Sequence, residues 1–125
     1  MNGIPGWVEI PTKDIDRAAK FYGAIFGKEY EVREDGPRKI VILGQGENNE
    51  AGASLTQIDG FEPSSNGALA YFNADADIDG ALKKVAESGG KVVIPKTLMW
   101  EGQVYATFLD SEGNTVAFFG TGTVE

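Results

Sequence analysis

Two stretches of the sequence share one pattern: Asp14 to Tyr30 reads "DIDRAAKFYGAIFGKEY", and Asp77 to Val93 reads "DIDGALKKVAESGGKVV". Aligning the two DID triplets gives a shift of 77 − 14 = 63 residues, which also carries Gly27 to Gly90. Because 63 is close to half of the 125 residues, the sequence predicts two copies of one supersecondary unit.

This repeat sets the expected domain organisation. We expect one domain over residues 1–125, built of internal repeats 1–60 and 61–125. A connector rich in Pro, Ser and Gly, "IDGFEPSSNG", lies between the copies. A chain of this length removes roughly two thirds of its unfolded surface from water, so it can form a core of its own.

The first copy predicts four strands and one helix. In the strand "GWVEIP", alternation places Trp7 and Glu9 on one face. Thr12 or Asp14 then caps a helix whose apolar residues recur at spacings of three and four, and Gly27 supplies the left-handed stop. The runs "KEYEVRED", "PRKIVILG" and "GASLTQI" predict the remaining strands.

The second copy predicts the same order. The strand "GALAYFNA" precedes a helix from Asp77 to Ser88, and "KVVIPKTLM", "VYATFLD" and "NTVAFFG" follow as strands. Each βαβββ unit has one helix for four strands, so one face of each sheet stays uncovered. We therefore predict an α+β fold, in which the two repeats form a curled, half-open eight-stranded barrel with the helices outside and a cleft inside.

Composition excludes several classes of chemistry. The chain has no Cys, so it can form no disulfide and has no thiolate nucleophile. It also has no His, which is the commonest ligand of transition metals in proteins. A net charge of −8 argues against a nucleic-acid partner. No apolar run approaches the roughly 20 residues of a membrane span, and "MNGIPGWVEIP" lacks the pattern of an export signal. We expect a cytoplasmic protein without a membrane partner.

Three motifs resemble those of a known family. They are "DIDRA" with Phe21-Tyr22 and Phe26-Gly27, "DID" with Ala81-Leu82 and Gly89-Gly90, and "FLDSEGN" from Phe108 to Asn114. On these motifs the chain resembles the vicinal oxygen chelate superfamily of glyoxalases, bleomycin resistance proteins and extradiol dioxygenases, over nearly its whole length. The last motif is the most specific, although Ser111 stands where the family frequently has proline.

The resemblance implies a metal site that this sequence does not supply. Catalytic members hold a divalent ion through His, Glu or Gln side chains on the first and fourth strands of the two units. The matching positions here are Trp7, Leu69 or Ala70, Ala117, and one of Ser54, Leu55 and Thr56. None is a good ligand for such an ion, so we expect no metal and no cofactor, and we do not expect glyoxalase I, epimerase or dioxygenase chemistry.

Most candidate site residues lie on strands that the resemblance places along the cleft, and Met99 and Trp100 lie where it places the rim. Glu9 is the tentative catalytic residue, either a hydrogen-bond acceptor or a general base. Its alternative is a structural carboxylate paired with Arg17, Arg33, Arg38 or a lysine. The candidate ligand-binding residues are Trp7, Glu9, Tyr71, Met99, Trp100, Tyr105 and Phe119. Core packing is the alternative for the aromatic residues, and it is the better interpretation for Phe108.

Three functions remain open at this point. The preferred one is binding of a small organic molecule in the cleft without a transition metal, as in the bleomycin resistance branch, where the resemblance also implies a homodimer. The second is a metal-independent lyase or isomerase with Glu9 as general base and tyrosine or backbone donors at the enolate. The third is a regulatory or interaction module whose cleft is vestigial.

Overall fold

The computed structural model describes residues 1, 3–47, 51–100 and 102–124. Its contacts divide the chain into two compact units, Met1–Pro63 and Ser64–Glu125. The division falls 63 − 60 = 3 residues after the expected end of the first repeat. A single domain over the whole chain stays a prediction, and each unit is described here by itself.

The first unit is a four-stranded mixed sheet with one helix. Its strands occur in the spatial order β1-β4-β3-β2, with β1 parallel to β4 and the other neighbours antiparallel. The elements are β1 (Trp7–Pro11), α1 (Ile15–Phe26), β2 (Arg33–Asp35), β3 (Arg38–Gln45) and β4 (Gly52–Gln57).

Local chemistry sets both ends of α1. Asp14 is the N-cap, and its side chain accepts a hydrogen bond of 3.1 Å from the backbone N–H of Arg17. Gly27 ends the helix at φ 67°, a left-handed conformation that glycine adopts without strain. Thr12, the other predicted cap, instead bonds to β4 just after the end of β1, because its N–H and its hydroxyl both donate to the carbonyl of Thr56.

The second unit repeats this topology, with the spatial order β5-β8-β7-β6 and β5 parallel to β8. Its helix α2 begins after the N-cap Asp77, whose side chain accepts from the N–H of Gly80 at 3.0 Å. The elements are β5 (Tyr71–Asn73), α2 (Ile78–Glu87), β6 (Lys91–Leu98), β7 (Gln103–Leu109) and β8 (Thr115–Thr121). The predicted α+β fold of two βαβββ repeats is confirmed.

One extra residue separates strand and helix in the second unit. The backbone N–H of Thr12 donates to Thr56, and that of Ala74 donates to Phe119, which marks Thr12 and Ala74 as equivalent positions. Two steps lead from Thr12 to its cap Asp14, whereas three steps lead from Ala74 to Asp77. Asp75, at φ 54°, accommodates the difference. Before this insertion the shift between the repeats is therefore 62.

Two predicted strands are shorter than the sequence pattern indicates. Only Arg33–Asp35 of "KEYEVRED" pairs as a strand, and only Tyr71–Asn73 of "GALAYFNA" does so. Residues 28–32 follow α1 instead: Lys28 N–H donates to the carbonyl of Gly23 at 3.0 Å, and the Tyr30 hydroxyl donates to the carbonyl of Leu43 at 2.8 Å. These bonds replace a strand ladder over that segment.

Each helix packs on one face of its own sheet. Ile10 and Val41 both pair with Leu55, and all three are buried on the side of α1, where Gln57 Oε1 accepts from the N–H of Ile15 at 2.8 Å. In the second unit the buried helix-side residues are Val104, Ala106, Phe108, Val116 and Phe118. We call the opposite face of each sheet its distal face.

The turn between β7 and β8 holds the most specific of the sequence motifs. The buried carboxylate of Asp110 accepts hydrogen bonds from the N–H groups of Glu112 and Asn114, both at 2.9 Å, and from the Asn114 side chain at 3.0 Å. Asn114 Oδ1 in turn accepts from the N–H of Ser64 at 3.2 Å. The motif therefore ties the start of the unit to its last hairpin.

Candidate functional site

The distal face of the first sheet carries Trp7 and Glu9. Register places Trp7 opposite Gly52 and Glu9 opposite Ser54, so all four lie on this face, as side chains alternate along a strand. On β3, Ile42 lies opposite Ser54 and so shares the face. Two of the predicted site residues are thus two positions apart on an edge strand.

The indole of Trp7 is held in a fixed orientation. Its Nε1–H donates to Ser54 Oγ at 3.1 Å. Its ring lies over Gly52, because a Cβ at that residue would stand only 2.6 Å from Trp7 Cζ3 and 3.1 Å from Cε3. Ser54 is 2% exposed, whereas Trp7 remains 39% exposed. The indole is therefore a flat surface, pinned at one edge by a hydrogen bond and still accessible to a ligand.

Glu9 belongs to a chain of charged side chains on the same face. Its Oε1 accepts from Arg38 Nη1 at 2.6 Å and from Thr56 Oγ1 at 3.3 Å. Arg38 Nε donates to Asp35 Oδ2 at 2.6 Å. The hydrogen bond to Asp35 is the main reason that the pKa of the Arg38 guanidinium is raised. Of the three arginines that the sequence offers as partners of Glu9, Arg38 is the one that forms the ion pair.

These contacts limit what Glu9 can do chemically. Oε1 is already occupied by an ion pair and by a hydroxyl hydrogen bond. Within the described residues, Oε2 of Glu9 has no hydrogen-bond partner, and the side chain is 38% exposed. Glu9 can therefore accept a hydrogen bond from a ligand through Oε2 while Oε1 holds Arg38.

The distal face of the second sheet is aromatic. Register places Tyr105 opposite Phe119 and Tyr71 opposite Ala117, so these side chains share one face. The rings of Tyr71 and Phe119 meet edge to face with centroids 6.4 Å apart. The structure thus brings together three of the five candidate residues in this unit.

Met99 and Trp100 lie outside that face. Both belong to the hairpin between β6 and β7, where Gln103 N–H donates to the carbonyl of Trp100 at 2.8 Å and Met99 N–H donates to the carbonyl of Gln103 at 2.9 Å. Trp100 is 65% exposed. Phe108, in contrast, is buried on the helix side with its ring 4.6 Å from that of Phe118, as expected of a core residue.

Comparison with known proteins identifies the family. The model of the Glyoxalase/Bleomycin resistance protein/Dioxygenase superfamily matches residues 4–118 of the chain. The chain belongs to this superfamily. The resemblance read from the "DID" and "FLDSEGN" motifs is therefore confirmed.

Individual members of the superfamily are similar over most of the chain. A glyoxylase-like domain-containing protein of Didymella fabae is 28% identical over 122 residues, covering 94% of this chain and 93% of that protein. A second relative is CFP32 of Mycobacterium bovis, which its name assigns provisionally to the glyoxylases. It is 32% identical over 102 residues, which cover 74% of this chain and 36% of CFP32. The solved structure of a glyoxalase/bleomycin resistance protein from Albidiferax ferrireducens has a TM-score of 0.72 at 17% identity, covering 93% of this chain and 97% of the other. That structure shares the fold.

The residues at the superfamily's metal positions do not fit a metal ion. Ala117 is equivalent to Ser54 under the shift of 63, and Leu69 is equivalent to Trp7 under the shift of 62. Alanine, leucine and tryptophan provide no ligand atom for a divalent ion, and the Ser54 hydroxyl already accepts from Trp7. No group of three or more Asp and Glu side chains in the described residues could hold a metal.

Sequence reasoning overlooked part of the first distal face. Gly52 and Asp35 were not considered, and Ser54 was considered only as a metal position. The alternation along β3 places Arg38, Ile40 and Ile42 on one face, so the sequence does carry a signal that Arg38 lies with the two isoleucines. Nothing in the sequence gives the register that sets Ser54 beside Glu9, because pairing between strands distant in the chain is not a local property.

Proposed function

We propose that this superfamily member binds a small organic molecule on the distal faces of its sheets and does so without a transition metal. Trp7 and Glu9 are the proposed ligand contacts in the first unit. The proposed contacts in the second unit are Tyr71, Met99, Trp100, Tyr105 and Phe119. The names of the relatives, which include glyoxylase-like and bleomycin resistance proteins, support a small-molecule ligand.

One observation carries the proposal. The Trp7 indole is hydrogen-bonded to Ser54, lies against Gly52 and is still 39% exposed. An exposed tryptophan that is held in one orientation loses little conformational entropy when a flat ligand stacks on it. A preorganised aromatic surface of this kind is typical of a binding site for planar organic molecules.

A second function is favoured by the free oxygen of Glu9. A carboxylate whose Oε1 is fixed by Arg38 presents Oε2 in a defined direction, which suits a general base beside a carbonyl compound. In a metal-independent lyase or isomerase, Glu9 Oε2 would take the proton, and the Thr56 hydroxyl would keep Oε1 in place.

Tryptophan fluorescence tests the binding function. The protein is titrated with a panel of planar aromatic compounds, alongside the variants Trp7→Phe and Trp100→Phe, each of which leaves one indole. Binding on the first distal face predicts quenching that persists in Trp100→Phe and disappears in Trp7→Phe. Quenching that follows Trp100 alone would contradict the assignment of Trp7, and a lack of quenching by the whole panel would favour the vestigial module.

Turnover and metal content separate the remaining functions. Each compound that binds is followed for chemical change with the wild type and with Glu9→Gln. Binding without turnover, with little effect of the substitution, supports sequestration, whereas turnover that Glu9→Gln abolishes supports the enzyme. A stoichiometric transition metal in protein purified without chelators would contradict the metal-independent part of the proposal.

We also propose that two copies of the chain associate, as family resemblance implies. In support, the edge strand β6 exposes Val93, Ile94 and Leu98. Pro95 and two register shifts make this edge unsuited to adding a further strand, so association would use side-chain packing. Sedimentation velocity of the wild type and of Leu98→Lys tests this, since a concentration-dependent dimer should weaken in the variant.

A cytoplasmic location stays a prediction. In the part of the chain that the structure describes, no helix has the length and apolar character needed to cross a bilayer. Cell fractionation of the tagged protein in its host tests the prediction, and recovery in a membrane or exported fraction would contradict it.

A further inference from the structure

The indole of Trp7 lies beside the Glu9 carboxylate and the ion-paired side chains connected to it. Glu9, Arg38 and Asp35 form one connected group, with charges −1, +1 and −1, which sum to −1. Both carboxylates that neutralise Arg38 belong to this chain, and each holds it at 2.6 Å. The arginine is therefore already paired twice, and Glu9 is the carboxylate of the group on the same strand as Trp7. Arg33, opposite Ile40 on this face, lies on the far strand β2.

This charge lies within reach of a ligand stacked on the indole. Trp7 and Glu9 are two positions apart on one face of β1, which is a distance of roughly 7 Å along the strand. Glu9 Oε2 has no hydrogen-bond partner among the described residues and its side chain is 38% exposed. A cationic or hydrogen-donating substituent on a planar ligand can thus contact Glu9 while the ring covers Trp7.

We propose, on the basis of the proposed binding function, that this surface selects planar aromatic ligands by charge and prefers cationic ligands over anionic ligands with the same ring. Two effects act in the same direction. The Glu9 carboxylate, which is nearer to the indole than the arginine on β2, attracts a cation and repels an anion, and the negative face of an indole attracts cations as well.

The expected preference is modest because the site faces water. The charge of the ligand and that of the Glu9 carboxylate lie roughly 7 Å apart in a medium close to water. Their interaction raises the affinity of a cation and lowers that of an anion, and the two changes together give roughly a tenfold difference between the charged probes. A neutral ligand with the same ring should bind with intermediate affinity.

Three probes that share one ring system test the preference: 2-naphthylmethylammonium, 2-naphthamide and 2-naphthoate. Each is titrated into the protein at low salt, and binding is followed by the NMR signal of the Trp7 indole N–H, which is assigned by its persistence in Trp100→Phe. The expected order of affinity is ammonium, amide, carboxylate. Added salt should reduce the difference between the charged probes, because screening weakens exposed charges.

A matched pair of variants tests the assignment to this group. Glu9→Gln removes one negative charge beside the indole, and Asp79→Asn removes one from the ion pair between Asp79 on α2 and Lys96 on β6. Both change the net charge of the protein by the same amount. Glu9→Gln should abolish most of the tenfold preference, and Asp79→Asn should leave it intact.

The possible outcomes separate the charge preference, its assignment to the Glu9 group and the binding function. Equal affinity for the charged probes, or tighter binding of 2-naphthoate, would overturn the charge preference and leave the binding function standing. An equal loss of preference in the two variants would show that net charge, and not the Glu9 group, causes it. If no probe moves the Trp7 signal, the proposed function fails on this face and the preference falls with it.

Discussion

Replacing Gly52 with alanine should displace the Trp7 indole from its position on the first sheet. A Cβ at residue 52 would stand 2.6 Å from Trp7 Cζ3 and 2.7 Å from the carbonyl oxygen of Gly44. The carbonyl belongs to the neighbouring strand β3, which pairs with β4 here, and cannot retreat without disturbing that ladder. The indole is the part that can move, and moving it breaks the hydrogen bond to Ser54.

The size of the effect follows from these contacts. Loss of the hydrogen bond costs about 1 kcal/mol, and overpacking against a backbone carbonyl costs about 1–3 kcal/mol. Alanine returns about 0.5–1 kcal/mol, because glycine loses more conformational entropy in a strand. We therefore expect Gly52→Ala to lower the free energy of unfolding by about 2 kcal/mol. Urea unfolding followed by circular dichroism measures this loss, and the chemical shift of the Trp7 indole N–H reports the lost bond.

Gly44→Ala is the matched control. Gly44 lies on the adjacent strand, its φ is not positive, and a Cβ there would meet no atom within 4 Å. This variant should keep the indole signal and keep or slightly raise the stability. Wild-type stability together with an unshifted Trp7 signal in Gly52→Ala would refute the account of the indole as held between Gly52 and Ser54, and with it the main support for the binding function.

Three further predictions concern the frame around the site. Asp110→Ala should lower the free energy of unfolding by about 3 kcal/mol in urea titrations, because three buried donors lose their acceptor. Tyr30→Phe should cost about 1 kcal/mol at neutral pH through loss of the bond to Leu43. Burial also raises the pKa of Tyr30 from 10.0, so the stability that its hydroxyl contributes is present below pH 10 and is lost as the pH rises through the raised pKa. The stability difference between wild type and Tyr30→Phe should therefore shrink at high pH. A difference that stays constant there would contradict this. Gly23→Ala should destabilise α1 by about 1–3 kcal/mol in thermal unfolding, since its Cβ would stand 2.6 Å from the carbonyl oxygen of Lys28.

The helices were predictable because their ends depend on local chemistry. An acidic cap three residues before its N–H partner and a glycine in the left-handed conformation both act within one turn, as Asp14 and Gly27 show. Asp77 acts in the same way in the second unit. The repeat was visible for the same reason, since its markers are these caps and stops.

The lengths of the edge strands were not predictable from pattern alone. The run "KEYEVRED" alternates like a strand, but Lys28 bonds back to the last turns of α1 at Gly23, and the Tyr30 hydroxyl bonds to Leu43 on β3. The first bond belongs to the end of the helix, and the second is a tertiary interaction with a carbonyl 13 residues away. They leave no periodic signal in the segment that they constrain.

The sequence predicts which candidate residues share a face of their strand, but it does not predict which residues of other strands they contact. That Trp7 and Glu9 share a face follows from the period of a strand. That Arg38 and Ser54 join them depends on register, which here includes an irregularity between Ile42 and Gly44. A slip of one residue would have placed Leu55 beside Glu9 and removed both polar partners, so this surface could be anticipated only as a set of alternatives.

The residues at the expected metal positions leave no buried side-chain polar atom without a partner in the described part of the first sheet. Of the three positions considered on β4, Leu55 faces the helix, and Ser54 is the one equivalent to Ala117. Trp7 and Ser54 thus stand where the family resemblance expects two ligands, and they are joined by a hydrogen bond of their own. A serine hydroxyl left without a partner at 2% exposure would cost about 1–3 kcal/mol, which the indole N–H prevents. A change of Trp7 alone to histidine would not create a metal site, because Ser54 would still provide no second strong ligand.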